Sequence, residues 1–202
     1  MNMPSKAPSN DHSSRFGMWL FLFTEMFLFG GLFIVYSVYR IRNGQAFHFA
    51  AGELSVFTGT LNTIILLISS TTIAISATAI RLKNKKLALQ LIGVTILLGI
   101  VFLTTRSFEL GSHIKSHIYP GSSILALRGQ GDVLFYGLYF FITGLHTLHI
   151  IIGLTFMGIV MSMIFRNKIN FENYTTLENS GLYWHLVAII WIFIFPLFYL
   201  IT

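Results

Sequence analysis

One glutamate stands inside an otherwise apolar run, Phe23-Thr24-Glu25-Met26-Phe27-Leu28-Phe29, and its type and place suit it to chemistry. A carboxyl group in such surroundings is either protonated or paired, so it holds a proton or bonds a neighbouring helix. His146 and His149 form a His-x-x-His pair, three residues apart and therefore on one helical face. His185 lies in a second apolar run, Tyr183-Trp184-His185-Leu186-Val187. An acid and three histidines admit two chemistries. One is proton handling in a buried polar cluster of Glu25, His146, His149 and His185. The other is haem ligation, in which His146 or His149 pairs with His185, because neighbours on one helix cannot take opposite faces of one porphyrin. A di-iron site wants several His-x-x-His boxes or Glu-x-x-His pairs, and the chain has a single box. The absence of cysteine excludes a disulfide framework, a thiolate nucleophile, an iron–sulfur cluster and Cys-ligated copper. Structural or proton-relaying histidine, with no metal in this chain, is the reading preferred.

These residues need elements to hold them, and the composition says what kind. Of the 202 residues 54% are hydrophobic and only 10% charged, against about 25% charged in a soluble domain. A bilayer core takes roughly 20 apolar residues per helix, and five segments qualify: about 16–39, 55–80, 87–108, 133–165 and 179–201. The fold expected is an all-α membrane protein, a five-transmembrane-helix bundle over residues 16–202 behind a flexible polar segment, 1–15. The first apolar run is too long for a signal-peptide core and is read as a retained helix. The net charge of +6 does not indicate nucleic acid, because the basic residues fall in short clusters between spans. The densest cluster, Arg81, Lys83, Lys85 and Lys86, lies between the second and third spans. It predicts a cytoplasmic N-terminus and an outward C-terminus. The lead-in lacks the Arg-rich amphipathic character of an organelle transit peptide, which points to a bacterial inner membrane.

In this arrangement Glu25 lies roughly 14 Å from the cytoplasmic end of its helix, near the bilayer middle, with His149 and His185 in overlapping depth bands. The expectation is that Glu25 bonds His149, with His146 the second choice. Thr58, Asn62, Ser69, Thr72 and Ser76 make one polar, small-residue stripe on the second span, suited to close helix packing. Gly137, Gly144, Gly153 and Gly158 are expected to serve the same purpose on the fourth. Trp19, Trp184 and Trp191 read as interfacial and lipid-facing anchors, and Glu109 and Asp132 as loop-ordering or capping residues at the outer surface. Pro196 is a candidate kink in the fifth span.

Several of these segments also resemble a known family. Thr143-Gly144-Leu145-His146-Thr147-Leu148-His149 through Gly153 resembles the T-G-x-H-x-x-H-V-x-x-G signature of subunit III of the haem–copper oxidases. Tyr183-Trp184-His185 through Trp191 is similar to the family's Y-W-H-F-V-D-V-V-W, with Glu178 at its upstream acid. Asn62-Thr63 through Thr71 resembles N-T-x-x-L-L-x-S-S, Gly17 through Glu25 resembles G-M-x-L-F-x-x-S-E, and Glu109 matches the acid of S-x-E-Y. The matches run in order over nearly the whole chain from Phe16. There are two departures: the chain corresponds to the last five helices of the seven-helix form, and Ala188 replaces the family aspartate.

The resemblance implies a subunit without a redox centre in an enzyme complex, a proton-pumping cytochrome c oxidase reducing O₂ to water. Haems and copper then belong to partner subunits. It also implies packing on oxidase subunit I, with subunit II and further subunits or a supercomplex as other partners, bound phospholipid, and support of proton uptake and turnover stability. Glu25 takes the place of the buried family acid; Trp19, Asn62, Glu178, Trp184 and Trp191 become candidate lipid or interface contacts. A quinol oxidase subunit, an accessory protein of nitric oxide reductase, a standalone membrane cytochrome and a small transporter remain the alternatives.

Overall fold

The computed structural model describes residues 10–169 and 173–200. Those residues form seven helices: α1 (Asn10–Arg42), α2 (Gly44–Gly52), α3 (Val56–Arg81), α4 (Lys85–Lys115), α5 (Ser123–Arg128), α6 (Gln130–Phe165) and α7 (Thr175–Tyr199). Five of them, α1, α3, α4, α6 and α7, are long and apolar enough to cross a membrane, as the hydropathy pattern predicts. The short helices α2 and α5 lie in the connections between the spans. Of the polar lead-in, residues 1–9 lie outside the described residues, whereas Asn10–Arg15 form the first turns of α1. The last residues of the fifth predicted span, from 201, also lie outside them.

Local chemistry sets the ends of the helices. Ser55, Asn84 and Ser122 cap α3, α4 and α5 by accepting the N–H of Thr58, Leu87 and Leu125, which satisfies donors that a helix start leaves open. At their C-termini α3, α4 and α6 stop on Lys83, His117 and Asn167, all with φ near +60°. In each case the next N–H returns to a carbonyl five residues back, as in Asn84 N–H to Ala79 O at 2.9 Å; this 6→1 closure ends the helix. The corner between α5 and α6 needs φ +127° at Gly129, which other residues rarely adopt.

α3, α4, α6 and α7 close a ring in which each packs on two others, and α1 lies outside it against α6 and α7. α7 is the most buried span and α1 the least. The small-residue stripe of α3 does what its spacing predicts. Ser69 donates to Thr95 O at 3.3 Å, Thr72 and Thr95 hydroxyls meet at 2.8 Å, and Ser76 donates to Ala88 O at 3.4 Å. The glycine expectation for α6 holds at one position only. A Cβ on Gly153 would come within 2.8–3.1 Å of the Trp184 and Tyr183 rings, whereas Gly137, Gly144 and Gly158 have open space. Close approach is instead shared with Gly99 on α4, where a Cβ would sit 2.6 Å from Leu154 and 3.0 Å from Trp184. Trp184 is thus gripped between α4 and α6, the opposite of the interfacial role expected of it.

Gly153→Ala should therefore destabilise the bundle by about 1–3 kcal/mol through overpacking against fixed rings. Gly158→Ala, on the same helix, should be neutral or slightly stabilising. Thermal unfolding of both variants in one detergent checks the pair.

Candidate functional site

The inward stripe of α1 runs through Leu22, Glu25, Phe29 and Tyr36, spaced 3, 4 and 7, so one face of an apolar helix carries the acid towards α6 and α7. There Oε2 of Glu25 lies 3.0 Å from Nε2 of His149, and only 14% and 10% of the two side chains is exposed. The predicted partner is the one found. Phe29 stands edge-on to the imidazole, with centroids 5.5 Å apart. The Tyr183 ring stacks on its other side at 6.5 Å, and its hydroxyl donates to His149 O at 3.0 Å. The pair therefore sits in an aromatic slot formed by three helices.

The second ring nitrogen settles where protons can be. Nδ1 of His149 lies 2.8 Å from the carbonyl of Leu145. A carbonyl only accepts, so Nδ1 carries a hydrogen. Nε2 and Oε2 then share one further proton: either a carboxylic acid donates to neutral imidazole, or imidazolium donates to carboxylate. Both arrangements have zero net charge, which suits a site enclosed by apolar walls.

The other two histidines are placed elsewhere. His146 is 1% exposed, its Nε2–H donating to Val187 O at 3.1 Å between the rings of Phe102 and Trp191; its Nδ1 is buried without a hydrogen-bond partner. His185 meets the hydroxyl of Ser70 on α3 at 2.5 Å. The four-residue cluster expected from sequence is thus a Glu25–His149 pair, with His146 behind it in the core and His185 turned to another helix. Among the described residues no group of three or more His, Cys, Asp or Glu is placed to hold a metal ion.

The expected lipid or interface contacts also divide. Trp19 is 53% exposed on this chain. Trp184 and Trp191 are instead buried in the core, their indole N–H groups donating to Ser69 and Thr63 at 3.0 Å. These bonds across to the stripe on α3 supply the polar partner that a buried indole needs. Asn62 is fully buried and accepts from Thr105 at 2.5 Å, its Nδ2 having no hydrogen-bond partner. Glu178 is a polar hinge between helices, accepting from Arg15 of α1 at 2.8 Å and from Arg81 of α3. Ala188, at the position of the resembled family's aspartate, is buried and apolar.

The expectation that Glu109 orders a loop or caps a helix is overturned, and it pairs with Arg106 inside α4. α4 continues past both, and their side chains are only 5% and 8% exposed. Arg106 Nη1 donates to Glu109 Oε2 at 2.5 Å and to the Tyr199 hydroxyl at 2.5 Å, with the Tyr139 hydroxyl at 3.2 Å. Tyr199 in turn donates to Glu109 Oε1 at 2.7 Å, and the Trp191 ring lies under the guanidinium at 5.1 Å. This cluster ties α4, α6 and α7 together. The i,i+3 spacing of Arg106 and Glu109 was the available signal, missed because the helix was ended at residue 108. At the same end of the bundle Arg128 donates to both oxygens of Glu53 at 2.7 and 2.9 Å, and Tyr136 donates to it at 2.5 Å. The bond to Glu53 holds the Arg128 guanidinium above its ordinary pKa range.

Residues 6–202 match the family described as cytochrome c oxidase subunit III. The chain belongs to that family. It is 28% identical to the cytochrome c oxidase subunit 3 of Thermostichus vulcanus, covering 92% of this chain and 86% of that one. It is 30% identical to the cytochrome bo(3) ubiquinol oxidase subunit 3 of Pseudomonas aeruginosa, over 92% and 83%. It is 28% identical to the probable cytochrome c oxidase subunit 3 of Rickettsia bellii, covering 94% of this chain and 69% of that longer one. As a member of this family the chain is an integral membrane subunit of a terminal oxidase of the cytochrome c or quinol kind, and it assembles with other oxidase subunits.

Two stability predictions come from these subunit III clusters. Glu25→Ala and His149→Ala should each cost about 1–3 kcal/mol, because each leaves a buried polar group without its partner. The double variant should cost less than their sum, read as a double-mutant cycle on thermal unfolding. Arg106→Met should cost about 3–5 kcal/mol by leaving Glu109 buried and unpaired, and Arg106→Met with Glu109→Leu should recover much of that loss.

Proposed function

We propose that this chain is the non-catalytic third subunit of a proton-pumping terminal oxidase reducing O₂ to water, a cytochrome c oxidase in the first reading. A quinol oxidase is the second reading, favoured by the Pseudomonas aeruginosa relative, which at 30% identity over 92% of this chain is as similar as the Thermostichus vulcanus cytochrome c oxidase relative at 28% over 92%. The chain carries no redox centre of its own, and the haems and copper belong to partner subunits. It packs on subunit I, within reach of subunit II and of further subunits or a supercomplex, and it binds phospholipid. It lies in a bacterial inner membrane with the N-terminus cytoplasmic, since the basic cluster Arg81, Lys83, Lys85 and Lys86 stands at the end of the bundle where α1 begins.

Its contribution to turnover is to sustain proton uptake and to delay inactivation. The observation that carries this reading is the 3.0 Å bond between Glu25 and His149. It holds one proton that can sit on either partner without creating net charge, at a depth where an unpaired ionised carboxylate is costly. Glu25 keeps 14% of its side chain at the surface of this chain. A group of this kind buffers or relays a proton, whereas a fully enclosed ion pair does neither.

Glu25→Gln is the discriminating substitution. It keeps the side-chain shape and an N–H to donate to Nε2 of His149, but it removes the proton that can be exchanged. In the assembled oxidase it should slow proton uptake or shorten turnover lifetime, with the haem spectrum unchanged. A wild-type pH–activity profile together with a wild-type lifetime would falsify the proton role and leave the pair as a structural clasp.

A further inference from the structure

The Glu25–His149 bond exists only while Nε2 of the imidazole stays aimed at Oε2, and rotation about either side-chain torsion of the histidine spoils that aim. The bond from Nδ1 to Leu145 O holds the ring from within α6. Phe29 gives no independent reference, because it sits on α1 with the acid and moves with it. Tyr183 is on α7, outside both helices that carry the pair, and is 1% exposed.

Tyr183 holds one residue at two points. Its hydroxyl donates to the backbone carbonyl of His149 at 3.0 Å. Its ring lies 23° from the plane of the imidazole of that same residue, with centroids 6.5 Å apart. A phenol tied to the main chain thus sets its face against the side chain that branches from it. The ring is itself confined. Phe21 of α1 lies 28° from its plane at 6.0 Å, and Phe156 of α6 meets it edge-on at 5.7 Å; stacked and edge-on arrangements are those that aromatic pairs favour. Gly153, one turn beyond His149 on α6, admits the ring, since a Cβ there would stand 3.1 Å from its Cε1. Through Phe21 on one side and His149 and Phe156 on the other, Tyr183 gauges the gap between α1 and α6 within a turn of Glu25.

We infer that Tyr183 is the positioning residue of the Glu25–His149 pair, holding the imidazole in the orientation from which Nε2 reaches Oε2. It takes no part in the proton exchange, since its own hydrogen is committed to a carbonyl that only accepts. A polar site keeps its geometry when packing and outer hydrogen bonds lock the rotamers of its members, and it loosens when that support is removed. The inference deepens the proton role proposed above and rests on the shared proton invoked there.

The test reads that proton by nitrogen NMR. The full chain, tagged and carrying isotope-labelled histidine, is purified in mild detergent from its native membranes with whatever accompanies it, and returned to lipid. The Nε2 resonance of His149 is identified as one of those lost in His149→Gln. In the wild type it should be displaced from the position of a bare, unbonded nitrogen, because Nε2 either accepts the shared proton's bond or carries the proton. Tyr183→Leu, which removes ring and hydroxyl, should return it to the unbonded position. Tyr183→Phe, which keeps the ring among the same neighbours, should restore most of the displacement. Two glycine variants separate positioning from stability. Gly99→Ala and Gly153→Ala both press on Trp184, but only the second presses on Tyr183 as well. Only Gly153→Ala should therefore move the resonance, and this comparison serves if Tyr183→Leu does not accumulate. An unmoved resonance in Tyr183→Leu overturns the inference, because the Leu145 bond alone then orients the ring; an equal shift in Gly99→Ala overturns it too. A wild-type resonance already at the unbonded position overturns the shared proton and the positioning role with it. Turnover lifetime of the assembled oxidase keeps the two proposals apart. A normal lifetime in Glu25→Gln, alongside the expected shift in Tyr183→Leu, removes the proton-uptake role and leaves the positioning of the pair standing.

Discussion

The arrangement depends on how α1 is held. A span whose central stretch is mostly exposed gains little from helix–helix burial in a bilayer, where lipid tails are as apolar as leucine and give no hydrophobic drive to association. What remains is packing and polar bonds, and α1 has a polar bond at three levels. At one end Arg15 reaches Glu178 and Ser14 accepts from Asn179 at 2.9 Å. In the middle Glu25 meets His149. At the far end the Tyr36 hydroxyl donates to Leu197 O at 2.5 Å, taking up one of the carbonyls that the end of α7 leaves open. The aromatic contacts of Phe21 with Tyr183 and Phe33 with Phe193 fill in between. Removing the central bond leaves the ends attached but puts an acid against apolar walls, so the pair fixes the rotational setting of α1 as well as its attachment.

The four-helix ring is organised differently, around the large aromatics of α7. Trp184 and Trp191 are buried two turns apart on one face, each tied to α3 through its indole N–H. Gly99 and Gly153 recede to admit Trp184, so the glycines of α4 and α6 matter through the ring they accommodate. Near the end of α7, Tyr199 and the Arg106–Glu109 pair close the ring, with hydrogen bonds that run among α4, α6 and α7. Hydroxyls and a carboxylate surround the guanidinium, which is the condition for a buried cation to be tolerated.

The parts that were legible from sequence are those where composition and period agree. The five spans, the α3 stripe and the Glu25–His149 pairing all follow from apolar length, from 3.6-residue spacing and from depth along the axis. The failures share one cause. Depth and helical face do not say which helix lies opposite, so His185, at a suitable depth, was grouped with Glu25 although it faces Ser70 on α3. Trp184 and Trp191 were placed at the interface because tryptophan favours it on average, whereas here the hydroxyls of Ser69 and Thr63 satisfy their N–H groups inside. Glu109 falls outside a span ended at residue 108, though a mutually neutralising i,i+3 pair with Arg106 lets the helix continue through its polar turn.

The two buried acid sites separate structure from chemistry by the protons available to each. In the Arg106 cluster the cation is a guanidinium, which does not give up its proton in a protein, and Glu109 accepts from it and from Tyr199. No proton there has two places to be, so the cluster can only hold helices together. At Glu25 the partner is an imidazole whose other nitrogen is already committed to Leu145 O. A single proton then has two seats of equal net charge 3.0 Å apart. Both sites contain an acid and a base across an interhelical gap, yet only the second can change state without unfavourable charge in the membrane. The bond that fastens α1 is thus the one of the two that contains a shareable proton.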